Sequence, residues 1–204
     1  MNRKEHWEAI YKDKSPLEVS WHQEKPIISL TLINKFLEKK TDDIIDVGGG
    51  ASTLSDYLLE DDFKNITVLD LSSNAIEHAK QRLADKSDLI EWIVADVTSF
   101  VPAYKYNLWH DRAVFHFLTD KNDREKYKQT LESSIKAGSK VIIVAFSIGG
   151  PTKCSGLDIV QYDAAKLKEE LGDNFILLEE KHESHITPEG KEQAFEYYVF
   201  VRNP

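Results

Sequence analysis

Three carboxylates stand where short apolar runs end: Asp46 in "DIIDVGGG", Asp70 in "ITVLDL" and Asp96 in "WIVAD". The first is followed at once by Gly48, Gly49 and Gly50. Glycine costs conformational entropy, so three in a row after a strand point to a ligand lying close against the main chain. The ligand is not read as a phosphate. A dinucleotide fingerprint, G-x-G-x-x-G, fails at Thr53, and a phosphate loop needs a lysine that does not follow. A carboxylate just before the glycines repels a pyrophosphate but accepts from an ammonium group or a water. Asp70 lies about twenty residues further on, where a ribose diol is commonly held. Asp96 is placed to accept from an adenine amino group. Taken singly, each acid is read equally well as a loop residue or a helix cap. Together they describe a ligand with an amine, a ribose and an adenine but no phosphate, which is S-adenosylmethionine.

The elements that must position these acids alternate. "DIIDVG", "ITVLDL", "LIEWIVAD", "YNLWHD" and "KVIIVAF" read as strands, most of them apolar enough to be buried on both faces. Amphipathic helices fall between them. Ser73 is expected to cap one with Ile76, Ala79 and Leu83 inward, and Asp120 another with Tyr127, Leu131 and Ile135. Asp163 caps a third, carrying Leu167 and Leu171 and stopped by Gly172. "FILLEEKHE" and "AFEYYVFVR" close the chain as a hairpin. The order predicts an α/β fold, a Rossmann-like doubly wound sheet, mostly parallel with one antiparallel strand from the C-terminal hairpin. Residues 1–204 read as a single domain. Residues 1–40, with Ile28, Leu32 and Phe36 in a stripe, form an N-terminal helical cap. Ligands of such sheets sit at the carboxyl ends of the strands.

From "DVGGG" through "VLDLS", "VAD" and "WHDRAVFHFL" to the terminal hairpin, the chain resembles the class I S-adenosylmethionine-dependent methyltransferases. The resemblance implies that Gly48, Gly49 and Gly50 admit the methionine moiety, with Asp46 beside it. It implies that Asp70 holds the ribose and Asp96 the adenine, with Leu71 and Val97 packed on the ring. Ser52 stands where many members have a further glycine. An Asp-Arg pair followed by a small residue and a later Arg-x-x-Tyr resembles the thiopurine-type enzymes. A "W-x-x-x-Y" pattern, Trp7 to Tyr11, is similar to that of elongation-factor lysine methyltransferases.

Methyl transfer is an in-line displacement at a sulfonium carbon, so the protein must align a nucleophile and, where needed, remove its proton. Asp111 is the first candidate base, with His116 and His110 as alternatives; a purely structural Asp111, capping the turn, competes with that role. Trp21, His22, Arg112, Cys154 and His185 are expected to line the acceptor pocket, with Trp7 and Tyr11 as part of an aromatic lid. Cys154 reads as a buried thiol, since no covalent enzyme intermediate is required. His182 and His185 have metal-like spacing, but strand alternation sends them to opposite faces, and no metal site is expected.

The formal charge of −9, from 26 basic and 35 acidic side chains, repels nucleic-acid backbones. One cysteine excludes an intrachain disulfide and a C-x-x-C metal pair. No apolar run approaches the ~20 residues of a membrane span, and the N-terminus lacks an apolar signal core, so the expectation is a cytoplasmic protein with no membrane partner. The leading reading is methyl transfer to a small molecule. A protein lysine methyltransferase is the alternative, and a non-catalytic S-adenosylmethionine-binding regulatory module is the second.

Overall fold

A computed structural model describes residues 2–203. Two helices come first, α1 (Arg3–Asp13) and α2 (Ile27–Phe36). Between them the chain is irregular, so the expected cap is two helices joined by a loop. The alternating unit follows: β1 (Asp43–Val47), α3 (Leu54–Glu60), β2 (Asn65–Asp70), α4 (Ser73–Leu83), β3 (Ile90–Val94), β4 (Tyr106–Arg112), α5 (Lys121–Ser134) and β5 (Ile135–Phe146). A two-stranded ribbon, β6 (Lys153–Cys154) with β7 (Leu157–Asp158), precedes α6 (Ala164–Leu171). The chain closes with the hairpin β8 (Phe175–Ile186) and β9 (Glu192–Arg202).

Seven strands form one sheet in the order β3-β2-β1-β4-β5-β9-β8. All neighbours are parallel except β9, which runs antiparallel to both β5 and β8. The fold expected from the alternation is the fold observed. Strand order reverses between β1 and β4, which opens a crevice at their carboxyl ends.

Each face of the sheet carries its own core. Val47, Trp109 and Ile143 point to the side covered by α5 and α6, and Ile44, Leu108 and Ile142 to the side of α2 and α3. Strand alternation therefore assigns Asp46 and His110 to the α2 side and Asp111 to the α5 side. Helix ends follow capping chemistry. Asp120 accepts from the Asn122 amide and Asp163 from the Lys166 amide, as expected, and Gly172 ends α6 at φ +81°. The cap of α4 is Ser72, not Ser73: the Ser72 hydroxyl accepts from the Ala75 amide, and its extended backbone suits the position. Ser73 is drawn elsewhere. Its amide and hydroxyl both donate to Glu8 of α1, 2.9 Å each. The Ser72 hydroxyl and the Asn74 amide donate to the same carboxylate. Burial pushes the Glu8 carboxyl up, but these hydrogen bonds outweigh it and hold the group below its usual range.

Candidate functional site

The crevice holds a cleft whose mouth is open to solvent, at the place where ligands of such sheets bind. Its floor is the loop after β1. Gly48 turns at φ +72°, and a side chain there would strike Val114 at 2.1 Å. A Cβ on Gly49 would lie 2.1 Å from Asp46 Oδ2, and one on Gly50 would meet both Asp70 Oδ2 and Ala75 Cβ at 2.7 Å. Each glycine is required by a different neighbour. Arg82, the basic side chain that touches this loop, donates to the Ala51 and Ser52 carbonyls and pairs with Asp56. It is thereby committed elsewhere than to a phosphate.

Asp70, Leu71, Ala95, Asp96 and Val97 form one wall of the cleft. Asp70 accepts from the Ser72 amide at 2.8 Å through one oxygen and from the Gly50 amide at 2.9 Å through the other. Each oxygen keeps acceptor capacity for a hydroxyl. Burial pushes this carboxyl up to about 6, against the pull of the two amides. Asp96 accepts from the Thr98 amide and hydroxyl, and Arg3 of α1 bridges it to Asp123 at 3.3 and 3.1 Å.

The roof is aromatic. Trp7, Tyr11, Trp21 and Phe117 border the cleft, with ring centroids 5.1–6.5 Å apart, mostly edge to face. Trp21 Nε1 donates to the Tyr11 hydroxyl at 3.2 Å. Cys154 and Arg112 complete this end. Burial pushes the Cys154 thiol up to about 11, so it is protonated at neutral pH. Arg112 donates to the Trp21 carbonyl, lies 3.5 Å from Glu183 and stacks over Phe195.

A side pocket continues from the cleft past Gly48 and Gly49, with Ser29, Asp46, His110 and His22 in its lining. Asp46 and His110 are register partners on adjacent strands, and His110 Nδ1 stands 2.7 Å from Asp46 Oδ1. Asp46 Oδ2 is buried and has no hydrogen-bond partner. Buried polar atoms without partners are rare, and this one belongs to a residue that lines the side pocket. The arrangement fits a ligand with a cationic end at Asp46, a diol at Asp70 and a flat polar ring near Asp96.

Residues 45–141 match the family described as a methyltransferase domain. That match takes in the glycine loop, Asp70 and Asp96, so this part of the chain is similar to a methyltransferase domain. A curated relative, malonyl-[acyl-carrier protein] O-methyltransferase 1 of Ilyobacter polytropus, is 33% identical over 110 residues, 53% of this chain and 39% of that protein. The chain thus spans about two-fifths of the length of the curated relative it matches. An S-adenosylmethionine-dependent methyltransferase from Anabaena variabilis superposes with a TM-score of 0.76 at 14% identity, over 100% of this chain and 96% of that one. The N-methyltransferase NodS of Bradyrhizobium japonicum, solved with S-adenosyl-L-homocysteine, gives 0.74 at 16% identity with full coverage of both chains. At such identities the superpositions speak for the methyltransferase fold.

Within this fold the expected site residues separate. Gly48, Asp70, Leu71, Asp96, Val97, Trp21, Arg112 and Cys154 line the cleft, and Asp46, Gly49, His22 and His110 the side pocket. Gly50 packs behind Asp70. Three residues are placed elsewhere. Asp111 is fully buried on the α5 side, accepting from the Val114 and Phe115 amides and from the Tyr127 hydroxyl at 2.6 Å. Its carboxylate caps the turn after β4 and does not face the cleft. His116 is sealed against Phe146 with neither ring nitrogen partnered, and burial pushes its pKa down to about 3. His185 is buried with Nε2 2.7 Å from the Ser20 carbonyl, so it braces the loop that carries Trp21. His182 points away, exposed beside Glu196. Arg3, Phe117 and Ser29 are pocket residues that no sequence pattern marked.

Proposed function

We propose that this domain binds S-adenosylmethionine and transfers its methyl group to a small molecule. The observation that carries the reading is the convergence of three strand-end carboxylates, Asp46, Asp70 and Asp96, around a glycine loop whose adjoining arginine is already spent. Asp46 would face the ammonium group, Asp70 the ribose hydroxyls and Asp96 the adenine, with Leu71 and Val97 against the ring. When bound, the cofactor supplies an electrophilic methyl group on a sulfonium. The protein's own part is alignment and exclusion of water by Trp7, Tyr11, Trp21 and Phe117. Electron-rich faces near a sulfonium also favour its charge. Asp111 and His116 are buried away from the cleft, so of the three candidate bases only His110 borders the ligand space. With its ring held between Asp46 and Ser29, the acceptor would bring an available lone pair or lose its proton to solvent.

The aromatic roof favours a compact acceptor over a protein side chain, and the relative from Ilyobacter polytropus, named for an acyl-carrier substrate, keeps a carrier-bound acceptor in view. No helix among the described residues is long and apolar enough to cross a membrane. The single-domain organisation with residues 1–40 as its cap is part of the same proposal. Calorimetry with S-adenosylhomocysteine and NAD tests the cofactor. Binding of NAD alone refutes it. Transfer of radiolabelled methyl to fractionated metabolites, with protein assayed separately, tests the acceptor. Label found in protein alone would favour the lysine reading, and saturable cofactor binding with no transfer would favour a regulatory module.

A further inference from the structure

We infer that His110 and Ser29 are positioning residues that hold Asp46 aimed at the cofactor's ammonium group, an inference that rests on the cofactor reading above. His110 Nε2 lies 2.9 Å from the Ser29 hydroxyl, and Nδ1 lies 2.7 Å from Asp46 Oδ1. All three side chains are buried and all three border the side pocket. An ionised carboxylate only accepts, so Nδ1 carries the proton toward Asp46. The Ser29 hydroxyl at Nε2 then fixes the orientation of the ring. The chain of hydrogen bonds holds one carboxylate oxygen in place.

The other oxygen, Oδ2, has no partner and lies against the bare Cα of Gly49. A buried carboxylate with a free acceptor is costly unless a cation meets it. The arginine in this pocket's lining, Arg112, donates to the Trp21 carbonyl and leans on Glu183 and Phe195 instead. The vacant acceptor is thus reserved for a donor from a ligand. The same order of groups activates a nucleophile in hydrolases. Here Ser29 has no exposed surface, and the end with free acceptor capacity is the carboxylate. The register of β1 against β4 supplies the first contact and α2 the second, so the relay also ties the cap helix to the glycine loop.

The test compares two ligands by calorimetry: S-adenosylhomocysteine, which carries the amino-acid end, and 5′-methylthioadenosine, which lacks it. His110→Ala is expected to weaken the first by about ten- to hundredfold and leave the second unchanged. His110→Asn keeps an N–H donor near the Nδ1 position and should recover most of the loss. Ser29→Ala should weaken S-adenosylhomocysteine less than His110→Ala does, again selectively. Should His110→Ala not fold, the Asn and Ser29 variants carry the test. Equal losses for both ligands would mean that His110 merely supports the fold, and no loss for S-adenosylhomocysteine would show that Asp46 needs no relay; either overturns the inference. A wild-type protein that binds neither ligand would refute the cofactor reading itself.

Discussion

Gly50→Ala isolates one steric requirement of the cofactor floor. The added Cβ would stand 2.7 Å from Ala75 Cβ, on the first turn of α4, and 2.7 Å from Asp70 Oδ2. No flexible side chain can yield, because both neighbours are short and fully packed. Either the loop lifts, breaking the 2.9 Å bond from the Gly50 amide to Asp70, or α4 is displaced. Overpacking of this kind costs about 1–3 kcal/mol, which for a chain this long lowers Tm by about 2–12 °C. The same shift turns Asp70 from the ribose position. Loss of a hydrogen bond to a charged group should weaken S-adenosylhomocysteine by about ten- to hundredfold. Thermal unfolding with and without ligand, together with calorimetry, reads both effects. A Gly50→Ala protein with wild-type Tm and affinity within twofold would refute the close approach and the role given to Asp70.

Asp70 also sets a pH dependence. Its carboxyl is raised from 3.8 to about 6, so its contribution to stability is present below pH ~4 and lost as pH rises through about 6. Between pH ~4 and about 6 the stability of the ligand-free wild type should therefore fall more steeply than that of Asp70→Asn, which does not titrate there, and the variant should bind S-adenosylhomocysteine more weakly; parallel stability–pH curves would contradict the sign. Asp111→Asn should lower Tm by loss of about 1–3 kcal/mol of charge-assisted bonds, and leave cofactor affinity within a few-fold, checked by melting and calorimetry. His116→Phe removes two unpartnered buried nitrogens from an aromatic stack, so Tm should hold or rise; a fall of several degrees would expose a partner for the ring. Trp21→Ala should raise the acceptor KM far more than it weakens S-adenosylhomocysteine, and the reverse order would place Trp21 over the cofactor alone.

The lining of the cleft proposed to hold the cofactor was legible in sequence because its determinants are local. A carboxylate at a strand end and a glycine next to it are positioned by the strand itself, so Asp46, Asp70 and Asp96 converge once the strands are parallel. The burial of Asp111 and His116 was not legible, since histidines and aspartates near a rim are indistinguishable until each face of each strand is known. Asp111 and His110 are neighbours in sequence yet point to opposite cores, one into a turn and one to the side pocket. Ser29 could not be read at all: it looks like an ordinary polar residue in an apolar helix, and its partner is 81 residues away. The displaced cap of α4 has a similar cause, because Ser72 and Ser73 offer the same local chemistry and only Glu8, from a distant helix, decides between them.

Glu8 has a mechanical consequence. It supplies the N-terminus of α4 with acceptors from another element, and α4 begins directly after the Asp70 strand end. Swinging α1 away from the cleft strips those amides and hydroxyls of their partner at the same moment that it removes Trp7 and Tyr11 from above the ligand. The α4 N-terminus and the aromatic roof therefore form one mechanical unit rather than two loosely joined parts, and any displacement of α1 is felt at both places at once.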